Sequence, residues 1–363
     1  MKKILILGIL ASFSIVFSFN TPEYASAKVM GLGGAYTAIA NDEMAMFYNP
    51  AGLAYIDSGM VGHLNVEGTL TYEDGFTSIM DSIEKIGSGG FSTANYALYT
   101  ALDGKSGSIF YGGGISYFTG GIAIGAYTSY KSFMKYTLTE FNANIDNTSI
   151  LCMGFASKVM DDVALGISLK AVRLQALKGS VTYAELASVT SNFDGMNFGS
   201  GDFAKSYNLG ANIGTMYKTG NFSLGASIEN LFTLEANKEL ASSKIVTNNT
   251  AEATKPIVRI GAGFNNGYTL LAADMANLTD ANNTTYHVGI QQKLVDIPFV
   301  EWLGGLTARA GYLTGKKDNI DISLVTYGVQ ARFLIAYLNI NAVNKTIDSN
   351  KSQEYNFSGQ FTF

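Results

Sequence analysis

Tyr207-Asn208-Leu209-Gly210-Ala211-Asn212-Ile213-Gly214-Thr215-Met216-Tyr217 changes character at every step. Tyr207, Leu209, Ala211, Ile213, Thr215 and Tyr217 make one set, and Asn208, Gly210, Asn212, Gly214 and Met216 the other. Successive side chains of a strand point to opposite faces, so this stretch predicts a strand with one apolar face and one face of small and polar residues. The pattern recurs. Val163, Leu165, Ile167, Leu169 and Ala171 oppose Ala164, Gly166, Ser168 and Lys170; Phe222, Leu224, Ala226 and Ile228 oppose Ser223, Gly225, Ser227 and Glu229. Near the end, Tyr355, Phe357, Gly359, Phe361 and Phe363 oppose Asn356, Ser358, Gln360 and Thr362.

A soluble β-sandwich alternates too, with its apolar face turned inward. Three features turn it outward here. Tyr117, Tyr130, Tyr207, Tyr217, Phe264, Tyr268 and Tyr312 stand at strand ends, where interfacial girdles lie. The polar faces carry Gly, Ser, Asn and a few charges, Lys170, Glu229, Arg259 and Arg309, which suit a wet lumen. The last strand ends on Phe363. The predicted fold class is all-β, a transmembrane antiparallel β-barrel of about fourteen strands.

The strands are expected near 59–68, 108–117, 120–131, 149–158, 162–173, 205–218, 221–230, 256–264, 268–276, 284–294, 304–312, 321–332, 334–344 and 353–363. Residues 91–102 are read as a helix, because Ala94, Ala97, Leu98, Ala101 and Leu102 repeat at helical spacing. Counting them as a strand would give an odd total and leave the chain ends on opposite sides of the membrane. The linkers after strands one, three, five and seven are long, whereas Phe118-Thr119, 159–161, Thr219-Gly220 and 265–267 are tight turns. Barrels of the outer membrane have this asymmetry of long external loops and short periplasmic turns. Residues 295–303, with Pro298 and Trp302, break it and are read as a turn insertion.

Composition agrees. Of 363 residues 47% are hydrophobic and only 15% charged, yet the one long apolar run, 4–19, lies at the N-terminus behind Lys2 and Lys3. That order is a secretory signal. Cleavage is expected after Ser18, with Val16 and Ser18 at the small-residue positions and Ala25-Ser26-Ala27 as a second site. Removing two lysines takes the formal charge from −5 to −7, against a nucleic-acid partner, which would need a basic patch. Cys152 is single, so no internal disulfide forms; 40 glycines and four prolines suit strands joined by turns.

Enzymatic chemistry is not expected. His63 and His287, the two histidines, fall on separate strands, both on the polar face, and a hydrolase needs nucleophile and base within hydrogen-bond reach. Metal sites of His and Cys lack the inventory. Gly31-Leu32-Gly33 would suit a dinucleotide loop only after a strand, and a signal precedes it. No cofactor is expected.

Before the first strand lie Met30-Gly31-Leu32-Gly33-Gly34-Ala35-Tyr36-Thr37-Ala38-Ile39-Ala40-Asn41-Asp42 and Met46-Phe47-Tyr48-Asn49-Pro50-Ala51-Gly52-Leu53. This is too irregular for a lipid-facing strand, because hydrocarbon does not tolerate unpaired backbone. It therefore belongs in the periplasm or inside the barrel. Here the sequence resembles the FadL-type family of outer-membrane hydrophobic-compound transporters, including its PorV-like relatives. The Gly-Leu-Gly-Gly-Ala-Tyr run, the Ala-Asn-Asp after it and Asn49-Pro50-Ala51 carry the likeness; the remainder agrees in architecture.

The resemblance implies a signal peptide at 1–18, an N-terminal hatch or plug at 19–56 inside the lumen, and a barrel at 57–363 with long external loops, inserted as a monomer in outer-membrane lipid of a diderm bacterium. It assigns gating to Gly31, Gly33, Gly34, Asn49, Pro50 and Ala51. It also implies passive uptake of small hydrophobic molecules, such as long-chain fatty acids or hydrocarbons. These would enter among loops 174–204 and 231–255, against Leu174, Leu177, Phe193, Phe198, Leu231, Phe232 and Leu234. They would leave sideways near strand three, which carries Gly120, Gly121 and Gly125. The PorV-like branch implies instead a role in protein secretion or surface assembly.

Overall fold

The computed structural model describes residues 26–56, 63–73, 106–136, 140–182, 204–239, 255–296, 304–317, 319–347 and 350–362. Among these residues the chain forms fourteen strands: β1 (His63–Glu73), β2 (Ser106–Thr119), β3 (Ile122–Tyr136), β4 (Glu140–Met160), β5 (Val163–Thr182), β6 (Ala204–Thr219) and β7 (Phe222–Glu239), followed by β8 (Ile257–Asn265), β9 (Thr269–Ala276), β10 (Thr285–Asp296), β11 (Gly305–Lys317), β12 (Ile320–Phe333), β13 (Ala336–Ile347) and β14 (Asn350–Thr362). Each pairs antiparallel with its sequence neighbours, and β1 pairs β14, which closes the barrel. Closure satisfies every strand edge, the condition for a sheet to cross hydrocarbon.

The faces divide as the alternation requires. On β1 Asn65, Glu67 and Thr69 are buried while Leu64, Val66 and Leu70 are exposed, and on β5 Ser168 and Lys170 are buried while Leu165, Ile167 and Leu169 are exposed. Apolar residues outside and polar residues inside is the inverse of a soluble domain.

Strand lengths are unequal. β4 has 21 residues and β9 eight, or about 70 Å against about 26 Å at a rise of about 3.3 Å per residue. Hydrocarbon is about 30 Å thick, so β4 and its partners project well beyond it, on the side opposite the tight turns. The predicted long linker after the third strand is therefore mostly strand: β3 runs to Tyr136 and β4 starts at Glu140. The same extension places Leu174 and Leu177 on β5, and Leu231, Phe232 and Leu234 on β7, where loops were expected. Ladder pairing continues there without apolar alternation, because beyond the hydrocarbon both faces meet water. Gly120 and Gly121, expected on the third strand, form the turn before it, with Gly121 at φ +91°. Residues 91–102, 183–203 with Phe193 and Phe198, and 297–303 with Pro298 and Trp302 lie outside the described residues.

β7 changes course at Asn230, whose left-handed backbone (φ 54°) suits an asparagine. Its N–H donates to Asn212 Oδ1 at 2.9 Å. Pairing with β8 ends at Glu229 opposite Ile257, and the β6 to β7 register shifts between Ala211 and Ile213. The shift brings Leu231 and Phe232, consecutive residues, both to the exposed surface.

Candidate functional site

The segment 26–56 folds locally by capping. Helix α1 (Ala27–Gly31) begins at Ser26 and stops where Gly33 and Gly34 take φ +65° and +83°. Their N–H groups donate back to the carbonyls of Met30 and Val29, each at 3.0 Å. Left-handed backbone is open to glycine at no steric cost, the reason for the Gly33-Gly34 pair. After helix α2 (Ala45–Tyr48) comes the 3₁₀ turn η1 (Pro50–Tyr55). Asn49 caps it, its Oδ1 accepting from the Ala51 N–H at 3.2 Å with Pro50 at the first helical position. Proline there gives up an N–H that has no helical partner anyway.

The segment's outward hydrogen bonds reach the inner faces of strands around the wall, which only a lumenal position permits. Asn341 on β13 donates to the Ala27 carbonyl at 3.0 Å and Thr326 on β12 to that of Gly31 at 3.3 Å. Asp274 on β9 accepts the N–H groups of Tyr36 and Thr37 at 2.6 and 2.7 Å. Ser168 on β5 and Asn212 on β6 both donate to the Met46 carbonyl, at 2.6 and 3.0 Å, and Ser227 on β7 donates to that of Tyr48 at 2.7 Å. Asn49 Nδ2 bridges the carbonyls of Thr37 (2.9 Å) and Thr215 (3.0 Å). At the turn end, Gly121 N–H donates to the Leu53 carbonyl at 2.9 Å and Tyr55 Oη to that of Asp162 at 2.7 Å.

His287 contributes to the same ring. The Gly33 carbonyl can only accept, so His287 Nδ1, 2.8 Å away, carries the proton, and Nε2 accepts from Thr285 Oγ1 at 2.9 Å. The imidazole is thus a structural tie to the Gly33-Gly34 turn, while His63 stacks by Phe118 at 5.2 Å.

Wall glycines let the segment lie against the sheet. A Cβ on Gly166 would meet the Pro50 and Ala51 backbone, one on Gly214 the Asn49 side chain, one on Gly225 the Thr37 carbonyl, and one on Gly289 would stand 2.6 Å from the Leu32 carbonyl. The Asn49-Pro50-Ala51 triplet is wholly buried at this contact. Two buried arginines are held in place: Arg259 meets Glu229 at 3.3 Å, with its guanidinium 5.5 Å from the Tyr48 ring centre. Arg309 donates to Gln291, Asn339 and Gln330 at 2.7 to 2.9 Å.

Beside the segment a cavity of about 840 Å³ lies against β1 to β6. Its lining alternates: outward residues such as Val66, Ile115, Leu151 and Leu209, 40 to 53% exposed, flank the buried Glu67, Tyr127 and Ile150. Phe47 of the segment meets Tyr127 edge to face at 5.2 Å. The Tyr127 ring covers the places where Gly114 and Gly125 lack side chains. β3 pairs with β2 and β4 over its whole length without a register shift, so the wall at Gly125 is closed. Leu174 is half-buried on β5, and Leu231, Phe232 and Leu234 are exposed on β7; none of these lines the cavity. Sequence reasoning did not single out Glu67, Tyr127, Asn208 or Asp274. Their one signal was position on a polar face, shared with many neighbours.

A family model described as "F plasmid transfer operon, TraF, protein" matches residues 92–275, just over half of the chain. No curated protein matches the sequence. Among solved structures, the chain is similar to the CymD monoaromatic hydrocarbon channel (12% identity, covering 96% of this chain and 98% of that one, TM-score 0.59). It is similar to a FadL homologue of Pseudomonas aeruginosa (12%, 96% and 99%, 0.55) and to the Pseudomonas putida toluene transporter TodX (12%, 97% and 98%, 0.53). The barrel is thus of the FadL type in fold.

Proposed function

The chain belongs to the family described as the F plasmid transfer operon TraF protein, and from that premise together with its FadL-type barrel we propose that it is a plugged outer-membrane channel for small hydrophobic molecules. The observation that carries this reading is the buried segment 26–56 seated in the interior of a FadL-type barrel, its backbone tied by hydrogen bonds to the inner faces of β5, β6, β7, β9, β12 and β13. Apolar ligand surface buried there contributes roughly 25 cal/mol per Å², enough to draw a hydrophobic molecule from water without a cofactor. Similarity to channels whose names include monoaromatic hydrocarbon and toluene supports the same class.

In this reading residues 19–56 are the hatch, seated by Asn49, Pro50 and Ala51 and shaped by Gly31, Gly33 and Gly34. Molecules arrive on the side where β3 to β7 project and collect beside Tyr127. They leave through the wall at Gly125 once that ring moves, or past the hatch. Uptake of radiolabelled toluene and of a radiolabelled fatty acid into proteoliposomes tests the proposal. Rates equal to those of protein-free liposomes for both refute it.

A second reading draws on the family's description, which names a plasmid transfer operon: an outer-membrane partner in surface assembly, as the PorV-like likeness implies. Co-purification of surface proteins with the detergent-solubilised barrel, together with absent uptake, selects it.

A further inference from the structure

We propose that the outer face of β1 to β6 holds an anionic phospholipid, its acyl chains in the trough across these strands and its phosphate on Arg173. This goes beyond the channel reading and rests on its placement of the barrel in a membrane.

The ladder registers arrange the outward lining of the 840 Å³ cavity in two rows. Val66, Ile115, Ala126, Leu151, Ala171 and Leu209 are successive partners from β1 to β6 and form an apolar row. Its large members are 40 to 53% exposed, and Ala126 and Ala171 leave gaps between them. Further from the tight turns, Gly113, Thr128, Ser149, Arg173 and Tyr207 pair in the same way and form a polar row.

Because the strands tilt, both rows climb from β2 to β5. Thr128 stands six positions beyond Ile122, the first residue of β3, and Arg173 ten beyond Val163, the first of β5. With a rise of about 3.3 Å per residue and a tilt of about 40°, these positions lie about 15 Å and about 25 Å above the turns. The apolar band of an outer-membrane barrel is about 25 Å tall. Arg173 therefore meets the edge of the hydrocarbon, where lipid phosphates sit, and the trough descends from it toward β3 to acyl depth.

Arg173 suits that anion. It is the cation among the lining residues, exposed on the outer face of β5, with its guanidinium 5.9 Å from the Tyr207 ring centre. Among the described residues no carboxylate pairs with it. A guanidinium donates two parallel hydrogen bonds to phosphate oxygens, and a cation at the membrane surface attracts acidic lipids. Glu67, the acid of the lining, is 5% exposed on the inner face of β1, four strands from Arg173, and does not oppose the phosphate.

The test is native mass spectrometry of the full barrel in detergent, titrated separately with dioleoylphosphatidylglycerol and dioleoylphosphatidylcholine, which share their chains. The first phosphatidylglycerol is expected to bind about fivefold more tightly than the first phosphatidylcholine. Arg173→Gln is expected to bring the two within about twofold, and Arg173→Lys to keep a reduced preference. Lys351→Gln, which removes an exposed cation of β14 outside the lining, is expected to leave the preference unchanged. Ala171→Trp, which fills the trough and keeps the charge, is expected to weaken both lipids. Equal affinities in the wild-type protein, or binding of neither lipid, overturn the inference, as does a preference that survives Arg173→Gln. Full binding of both lipids to Ala171→Trp shows an adventitious surface contact only and overturns it too. All of these leave the channel reading intact, which fails instead if neither toluene nor fatty acid enters proteoliposomes.

Discussion

Asp274 on β9 accepts the backbone N–H of Tyr36 at 2.6 Å, and the same oxygen, Oδ2, accepts the next N–H, that of Thr37, at 2.7 Å. The carboxylate is a cap for a turn of backbone that has no secondary structure to satisfy it. Replacing it by alanine leaves two buried donors unpaired, and hydrogen bonds to charged groups contribute about 1.5 to 3 kcal/mol each. Asp274→Ala is expected to lower barrel stability by about 3 kcal/mol and to open the Tyr36 and Thr37 amides to hydrogen exchange. Exchange confined to residues far from the turn would show that the carboxylate does not hold it.

The glycines beneath the segment make a steric prediction. A side chain at Gly166 meets the Pro50 and Ala51 backbone, and backbone cannot yield as a flexible side chain does. Overpacking commonly costs about 1 to 3 kcal/mol. Gly166→Val and Gly214→Val are expected to displace the segment and expose it to limited proteolysis. Gly68→Ala on the outer face, where nothing lies within 4 Å, serves as control. Equal protease resistance in all three variants contradicts the close fit.

Arg259 and Glu229 are paired at full burial, their side chains 0% and 2% exposed. Breaking one partner of such a pair costs about 3 to 5 kcal/mol, more than the pair itself contributes. Arg259→Met and Glu229→Met are each expected to destabilise the barrel by about that amount, and the double variant by clearly less than their sum. Additive losses in thermal unfolding would show that the two charges do not act as a unit.

Glu43 provides a pH dependence of definite sign. Its folded pKa is raised above the ordinary 4.5 by burial, then by Asp42 and Glu67. The folded state therefore favours the protonated form. The stability tied to that proton is full below the unfolded value and is lost as pH rises through the folded one. Glu43→Gln mimics the neutral form, so its melting temperature relative to wild type is expected to rise as the pH is raised from the ordinary 4.5 into the alkaline range. A constant difference across that range would mean that Glu43 does not titrate with folding.

Much of the fold was legible in the residues because alternation is local. Asn65, Glu67 and Thr69 face in and Leu64, Val66 and Leu70 face out for a reason visible in the chain itself. Where both sides of a strand meet water, as along the projecting parts of β4 and β5, that signal vanishes, and strand was read as loop. The turn at Gly120 and Gly121 was misplaced by one or two residues, since alternation fades at a turn before pairing ends. The site was half legible. Gly33, Gly34 and Asn49-Pro50-Ala51 stand out because local backbone demands them, whereas Leu231, Phe232 and Leu234, read as loop, are exposed residues of β7.

By itself the sequence determined that the chain makes strands with one face for hydrocarbon, and which short segments could not be strands, because both follow from neighbours a few residues apart. Only the tertiary structure decided which wall residue meets which part of the segment and what chemistry the cavity offers. Asp274 and Tyr36 are separated by 238 positions, His287 and Gly33 by 254, and Asn341 and Ala27 by 314. Contacts at such separations arise from closure of the barrel and leave no periodic trace along the chain.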